Sequence, residues 1–164
     1  MTRWVWAVAL VASCGLAASG QVLFHDDFDD GNADGWEEYD GTFSVIDGAY
    51  RIQSNGFCGD ARSVTGSPVW SDYVVQCDFN MLNRAKTAVL FHVEDIASGC
   101  DAGRYYQFEV LAAANKVEFC EMAYSGGFCN RLITQARAVS DNEWHHLRLE
   151  IHATTATASI DGQQ

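Results

Sequence analysis

From residue 22 onward, apolar and polar side chains alternate in short runs, and no stretch repeats with the period of a helix. Alternation of this kind sends every second side chain to one face of an extended strand. It predicts strands over 22–28, 42–52, 73–79, 87–93, 105–111, 116–122, 131–139, 144–151 and 155–160, with polar or glycine-bearing turns between them. The clearest turn is Asp47-Gly48, a type I′ hairpin signal that sets Ile46 opposite Ala49, Val45 opposite Tyr50 and Phe43 opposite Ile52. Asp161-Gly162 repeats that signal and pairs Ile160 with Gln163, after which the sequence stops at Gln164. The expectation is a sheet that lacks its final return strand, in a domain incomplete at its C-terminus.

One hairpin organises the middle of the chain. Tyr105 to Leu111 and Lys116 to Met122 flank the small-residue turn Ala112-Ala113-Ala114-Asn115, so Leu111 faces Lys116. This register places Phe108 opposite Phe119 and Val110 opposite Val117, an apolar face suited to a core. The other face carries Tyr105 opposite Met122, Gln107 opposite Cys120 and Glu109 opposite Glu118. Like charges directly across two strands repel, so the two glutamates need a cation, a shared proton, a hydroxyl network or solvent around them. A slip of one residue would dissolve the pair. Many short strands with regularly spaced turns and no helix give an all-β fold, a two-sheet antiparallel β-sandwich.

Composition adds compartment and partners. The chain has 164 residues, 48% of them hydrophobic, and a formal net charge of −12. An acidic surface without a basic patch argues against nucleic acid and anionic lipid, and favours neutral or cationic ligands or a divalent metal. Residues 1–20 read as a secretory signal, with Arg3, an apolar run and the small residues Ala18-Ser19-Gly20, leaving 21–164 as one domain. The run is too short for a transmembrane span. Val11-Ala12-Ser13-Cys14 also resembles a lipobox, which would make Cys14 a lipid anchor. Either way the protein leaves the cytoplasm, secreted or tethered outside it.

Cleavage after Gly20 would leave Cys58, Cys77, Cys100, Cys120 and Cys129, an odd number, in an oxidising compartment. Extending the hairpin past its open end suggests a disulfide between Cys100 and Cys129. Cys77 alternates with Val75 and Phe79 and reads as a buried free thiol. The stretch Asp29-Asp30-Gly31-Asn32-Ala33-Asp34-Gly35 is the most acidic. It is no EF-hand, because Phe28 stands where an oxygen ligand belongs and no helices flank it.

FHDDFDDGNADGWEEYDGTFSVIDGAYRI, YYQFEV and NEWHHLRLEIHATTATASIDG together resemble bacterial extracellular laminin-G-like or concanavalin A-like jelly-roll domains. Those domains open with a D-D-F-x-D-G-x-x-x-G-W run and a V-x-D-G-x-Y hairpin, and later carry a W-H-x-L-x-V strand before a Y-x-D-G turn. The resemblance implies two antiparallel sheets, one of them concave, with a polysaccharide or glycoprotein partner on that face or on the rim loops. It also implies a structural Ca2+, here involving Asp27 and Asp29.

Three functions compete. A non-catalytic carbohydrate-binding or adhesion module would use Tyr105, Gln107, Glu109 and Glu118, with Trp36, Tyr39, Trp70, Tyr124 and Trp144 as further stacking candidates. Each tryptophan reads equally as core or rim packing. A glycoside hydrolase would use Glu109 and Glu118 as a carboxyl pair about 5–5.5 Å apart. The E-x-D-x-x-E strand of laminarinase-type glucanases is missing, since Glu38-Tyr39-Asp40 runs on to Phe43. A structural surface protein is the third reading. No serine or cysteine sits in a nucleophile elbow, and the five histidines show no H-x-x-x-H spacing.

Overall fold

The computed structural model describes residues 4–13, 21–56, 61–83, 86–99, 102–123 and 129–164, the first of these segments by its backbone alone. The strands are β1 (Trp4–Ser13), β2 (Val22–His25), β3 (Glu37–Tyr39), β4 (Gly41–Ile46), β5 (Ala49–Ser54), β6 (Arg62–Val64) and β7 (Tyr73–Met81). After them come β8 (Lys86–Ile96), β9 (Gly103–Leu111), β10 (Lys116–Ala123), β11 (Cys129–Ala136), β12 (Trp144–His152) and β13 (Thr155–Ile160). Seven strands form one sheet in the order β13-β12-β7-β1-β5-β4, with β2 also paired to β1. Four more form a second sheet, β11-β10-β9-β8, and β3 pairs with β6 at the side.

The turn residues account for the local pairings. Asp47 and Gly48 both take positive φ, 53° and 69°, as do Asp161 and Gly162 at 51° and 75°. Positive φ at both central residues is what a type I′ turn requires. β4 and β5 pair in the expected register, Ile46 with Ala49 through Phe43 with Ile52. At the tip of the β9–β10 hairpin, Asn115 takes φ 50° and its amide donates to the Ala112 carbonyl. That closes the four-residue loop and fixes Leu111 opposite Lys116.

The core lies between the two sheets. Val75, Cys77 and Phe79 of β7 and Leu147, Leu149 and Ile151 of β12 meet Phe91, Phe108, Val110 and Val117 of the second sheet. Every one of these is the alternate position that its strand's register aims inward, so the all-β sandwich is the fold observed. Burial pushes the Cys77 thiol up to about 12, which makes it a packing residue and a poor nucleophile.

Three segments, 37–39, 62–64 and the N-terminal apolar run, differ from the reading of the sequence. Residues 62–64, taken as loop, form β6 against β3. The apolar run expected to be a leader forms β1, between β7 and β5. A leader and a strand are compatible, since the same β-branched and aromatic residues serve both.

Leu149 is fully buried beside Val75. Leu149→Ala should lower the unfolding free energy by about 2–5 kcal/mol in urea titration, whereas the exposed Thr155→Ala should change it by less than about 0.5 kcal/mol.

Candidate functional site

The outer face of the second sheet is a grid fixed by two registers. Lys86, Leu111 and Lys116 form one row, with Ala136 beyond them. Ala88, Glu109, Glu118 and Thr134 form the next, and Leu90, Gln107, Cys120 and Arg131 the third. Tyr105, Met122 and Cys129 close it. Glu109 therefore stands opposite Glu118, as the hairpin requires.

This face is not solvated in the ordinary sense. Gln107 and Glu109 are each 5% exposed and Glu118 is 1% exposed. Buried carboxylates demand partners, and the neighbouring rows supply them. Glu118 Oε1 accepts from Lys116 Nζ at 2.7 Å and Thr134 Oγ1 at 3.0 Å, and its Oε2 accepts from Arg131 Nε at 3.1 Å. Removal from water works to raise this carboxyl, but the bonds from Lys116, Arg131 and Thr134 outweigh it and hold it below the usual range.

Glu109 is held differently. Its Oε1 accepts from Gln107 Nε2 at 2.7 Å and lies 3.2 Å from Lys86 Nζ. Its Oε2 sits 3.6 Å from Cys120 Sγ. That sulfur belongs to a disulfide with Cys129 and has no proton to give. Among the described residues, no hydrogen therefore reaches Glu109 Oε2, a buried acceptor left for something else to satisfy.

The disulfide corrects the pairing expected from the sequence. Cys129 bonds to Cys120, with Cα atoms 5.3 Å apart, and not to Cys100, which lies outside the described residues. The physical reason is that the chain returns as β11 along β10, bringing Cys129 opposite Met122 and diagonal to Cys120.

One end of the grid is walled by a buried arginine that the sequence reading missed. Arg62, 4% exposed, donates to the carbonyls of Ala97, Gly99 and Ala102 at 2.9, 3.0 and 2.9 Å, and to Asp40 Oδ2 at 2.6 Å. Asp40 also accepts the Gly99 amide at 2.8 Å. The guanidinium thus pins the β8–β9 loop beside Tyr105, whose hydroxyl lies 3.5 Å from Arg62 Nη1. A signal for this was available only as one cationic residue inside an otherwise polar loop.

The aromatic candidates scatter. Trp36 packs on Phe24, Phe28 and Tyr50 and donates to Asp26 Oδ2 at 2.8 Å, a structural cluster. Trp70 stacks near Tyr73 and fills the space beside Gly66. The Tyr39 hydroxyl bonds Glu37. Trp144 stands 56% exposed on the far face of the seven-stranded sheet, and Tyr124 lies outside the described residues. Among the described candidates, Tyr105 alone joins Gln107, Glu109 and Glu118 on one face.

Asp27 and Asp29 are exposed, and Asp27 Oδ1 accepts the Asp29 amide at 3.2 Å. Among the described residues, no third acidic, histidine or cysteine ligand atom joins them within 4.8 Å. Calcium takes about six to eight oxygens, and these two side chains do not approach that set by themselves. The one such cluster described is Glu109, Glu118, Cys120 and Cys129, whose sulfurs are bonded to each other.

A Ser140–His145–Asp161 line has the distances of a catalytic triad, 3.2 and 2.8 Å, but the wrong protons. His145 Nε2 also meets the Ser140 carbonyl at 3.0 Å, which only accepts, so that nitrogen carries hydrogen and takes none from the serine. The Ser140 hydroxyl donates to Glu143 at 2.6 Å instead. A pocket of about 120 Å³ opens between the sheets, lined by Trp36, Tyr50, Ser63, Cys77, Val89 and Phe108.

The model of a family described as the 3-keto-alpha-glucoside-1,2-lyase-like domain matches residues 23–164. No curated protein matches the chain. Among solved structures, the carbohydrate-binding module CBM66 from Bacillus subtilis superimposes with a TM-score of 0.64 at 19% identity, covering 79% of this chain and 75% of that one. The likeness carries the fold, which agrees with the concanavalin-like sandwich read from the sequence.

Glu118→Gln should remove the anion that Lys116 and Arg131 share and lower stability by about 1–3 kcal/mol at neutral pH. Because the folded carboxyl lies below its ordinary value of 4.5, its contribution is complete above that pH and is lost as pH falls through the folded value. Urea midpoints of wild type and variant should therefore converge on acidification below pH 4.5.

Proposed function

Since the chain belongs to the 3-keto-alpha-glucoside-1,2-lyase-like domain family, we propose that it is an exported carbohydrate-binding domain whose sugar lies on the outer face of the β8–β11 sheet. The observation that carries this reading is the ordered polar grid. Gln107, Glu109 and Glu118 are nine-tenths buried or more on a sheet face turned away from the core, and among the described residues Glu109 Oε2 meets only a disulfide sulfur, which cannot donate. A solvated face needs no such order, and fixed donors and acceptors are what orient a polyhydroxylated ligand. The Bacillus subtilis neighbour is titled a carbohydrate-binding module, which supports the same use of the fold. Export rests on residues 1–20 and on the Cys120–Cys129 disulfide, a bond that persists in oxidising compartments.

Glu109 also favours a second, catalytic reading. Elimination across C1–C2 of a 3-keto glucoside needs one base to take the C2 proton, which the adjacent ketone acidifies, and a cation for the charge that develops on the ketone oxygen. Glu109 Oε2 is the uncommitted carboxylate oxygen, and Lys86 Nζ lies 3.2 Å from the other one. The C2 proton would pass to Glu109 Oε2, its C–H electron pair would form the C1=C2 bond as the C1–O bond breaks, and the departing oxygen would take a proton from water. A retaining-hydrolase use of both glutamates has less support, because both oxygens of Glu118 are engaged.

A polysaccharide pull-down with the secreted chain should retain wild type, while a folded Glu109→Gln variant loses about tenfold in affinity, or 1.4 kcal/mol. Retention of both proteins alike would move the site elsewhere. With a 3-keto glucoside as substrate, catalysis should release the aglycone and a conjugated enone seen by its ultraviolet absorption. Its absence from wild type would leave the binding reading alone.

A further inference from the structure

The two glutamates lie at the floor of the grid, beneath the cations that a ligand meets first. Their side chains are 1% and 6% exposed, whereas those of Lys116, Lys86 and Arg131 are 29%, 34% and 61% exposed. The acids form the floor and the bases form the rim. Among the described residues, three cationic side chains around two carboxylates leave a local excess of one positive charge, on a chain whose formal net charge is −12. From this arrangement we infer that the sugar taken by this face is acidic, a glycan bearing carboxylate or sulfate groups. The inference rests on the carbohydrate-binding reading and narrows its ligand.

The geometry supports the assignment in three ways. Lys86 and Lys116 share a row with only Leu111 between them. Strands are about 4.8 Å apart, so their backbones are separated by about 9.6 Å, and both ammonium groups lie along one row of the face. An ammonium has three N–H donors, and Lys116 directs one at Glu118 Oε1. Arg131 contacts Glu118 through Nε, while most of its side chain faces solvent. Guanidinium and ammonium groups of this kind suit carboxylate and sulfate oxygens.

Two other described acids near this face are paired with arginines. Asp40 lies against Arg62, and Glu94 lies 3.1 Å from Arg104, both at the end away from the lysine row. The remaining negative charge of the protein acts at a distance. Fields between exposed charges fade over about 8 Å at physiological ionic strength. An anionic ligand seated in the lysine row therefore feels the local cations more than the protein as a whole, although its approach is slowed by the global charge.

The test compares polymers that differ only in charge. The secreted chain is titrated with polygalacturonate, with the same polymer fully methyl-esterified, with a sulfated and an unsulfated galactan, and with neutral fructan and glucan. The expected result is binding to the carboxylated or sulfated polymer with at least about tenfold preference over its uncharged counterpart. That binding should weaken as salt is raised from 0.05 to 0.5 M, on the order of a Debye length falling toward 4 Å. Lys86→Gln/Lys116→Gln should abolish the preference, and Lys86→Arg/Lys116→Arg should keep it. Equal binding of charged and esterified polymers, or binding of neutral polymers only, overturns the acidic-ligand inference and leaves carbohydrate binding standing. A folded sample that binds none of them overturns both. The esterified comparison uses unaltered protein, so it decides the matter even if the lysine variants fail to fold.

Discussion

Two carboxylates held face to face across adjacent strands repel each other, and the outer face of the second sheet is arranged around that repulsion. The turn at Ala112–Asn115 allows no other placement of Glu109 and Glu118 once Leu111 faces Lys116. The flanking rows then respond. Lys116 and Arg131 neutralise Glu118 from the same and the next strand, Thr134 adds a neutral donor, and Lys86 reaches Glu109 from β8. Coulomb energy between close charges grows as the local dielectric falls, so a poorly matched grid would cost far more here than on open surface.

The same face shows how one sheet serves two environments. Inward-pointing Phe108, Val110 and Val117 meet the apolar side chains of β7 and β12 with no polar demand. Outward-pointing Gln107, Glu109 and Glu118 are almost as buried, in a grid that mixes Leu90, Leu111 and Met122 with the cations and the Cys120–Cys129 bridge. Burial on both faces is unusual for antiparallel strands, which commonly leave one side to water. Here the second side is enclosed by its own long charged residues, whose aliphatic stems cover surface while their heads stay wet.

What could be read from the sequence follows the reach of local turn chemistry. Asp47-Gly48, Asp161-Gly162 and the four-residue loop before Lys116 each dictate a register, and the pairings Phe43–Ile52, Ile160–Gln163 and Glu109–Glu118 are all present. The candidate face was accordingly legible along β9 and β10. Its cations were less so. Lys86 joins through β8, whose register shifts between Phe91 and Asp95, so sequence distance does not report its neighbours. Arg131 and the Cys120–Cys129 bond depend on β11 returning along β10 with a further irregularity at Phe119 and Cys120. Arg62 acts through three backbone carbonyls of a distant loop, an interaction with no residue-type signature at the accepting end.

The order of strands in the two sheets has a consequence for how the chain assembles. β8, β9, β10 and β11 are consecutive in sequence and neighbours in space, so their sheet closes only short stretches of chain. The other sheet places β12 and β13 beside β7, joining segments far apart in the chain. Loop closure is costlier and slower for such distant partners. The topology therefore implies a nucleus: the meander forms early as a template, and the interleaved sheet condenses onto its apolar side. The grid of glutamates and lysines would then be in place, and already tested for register, before the rest of the protein exists as a folded object.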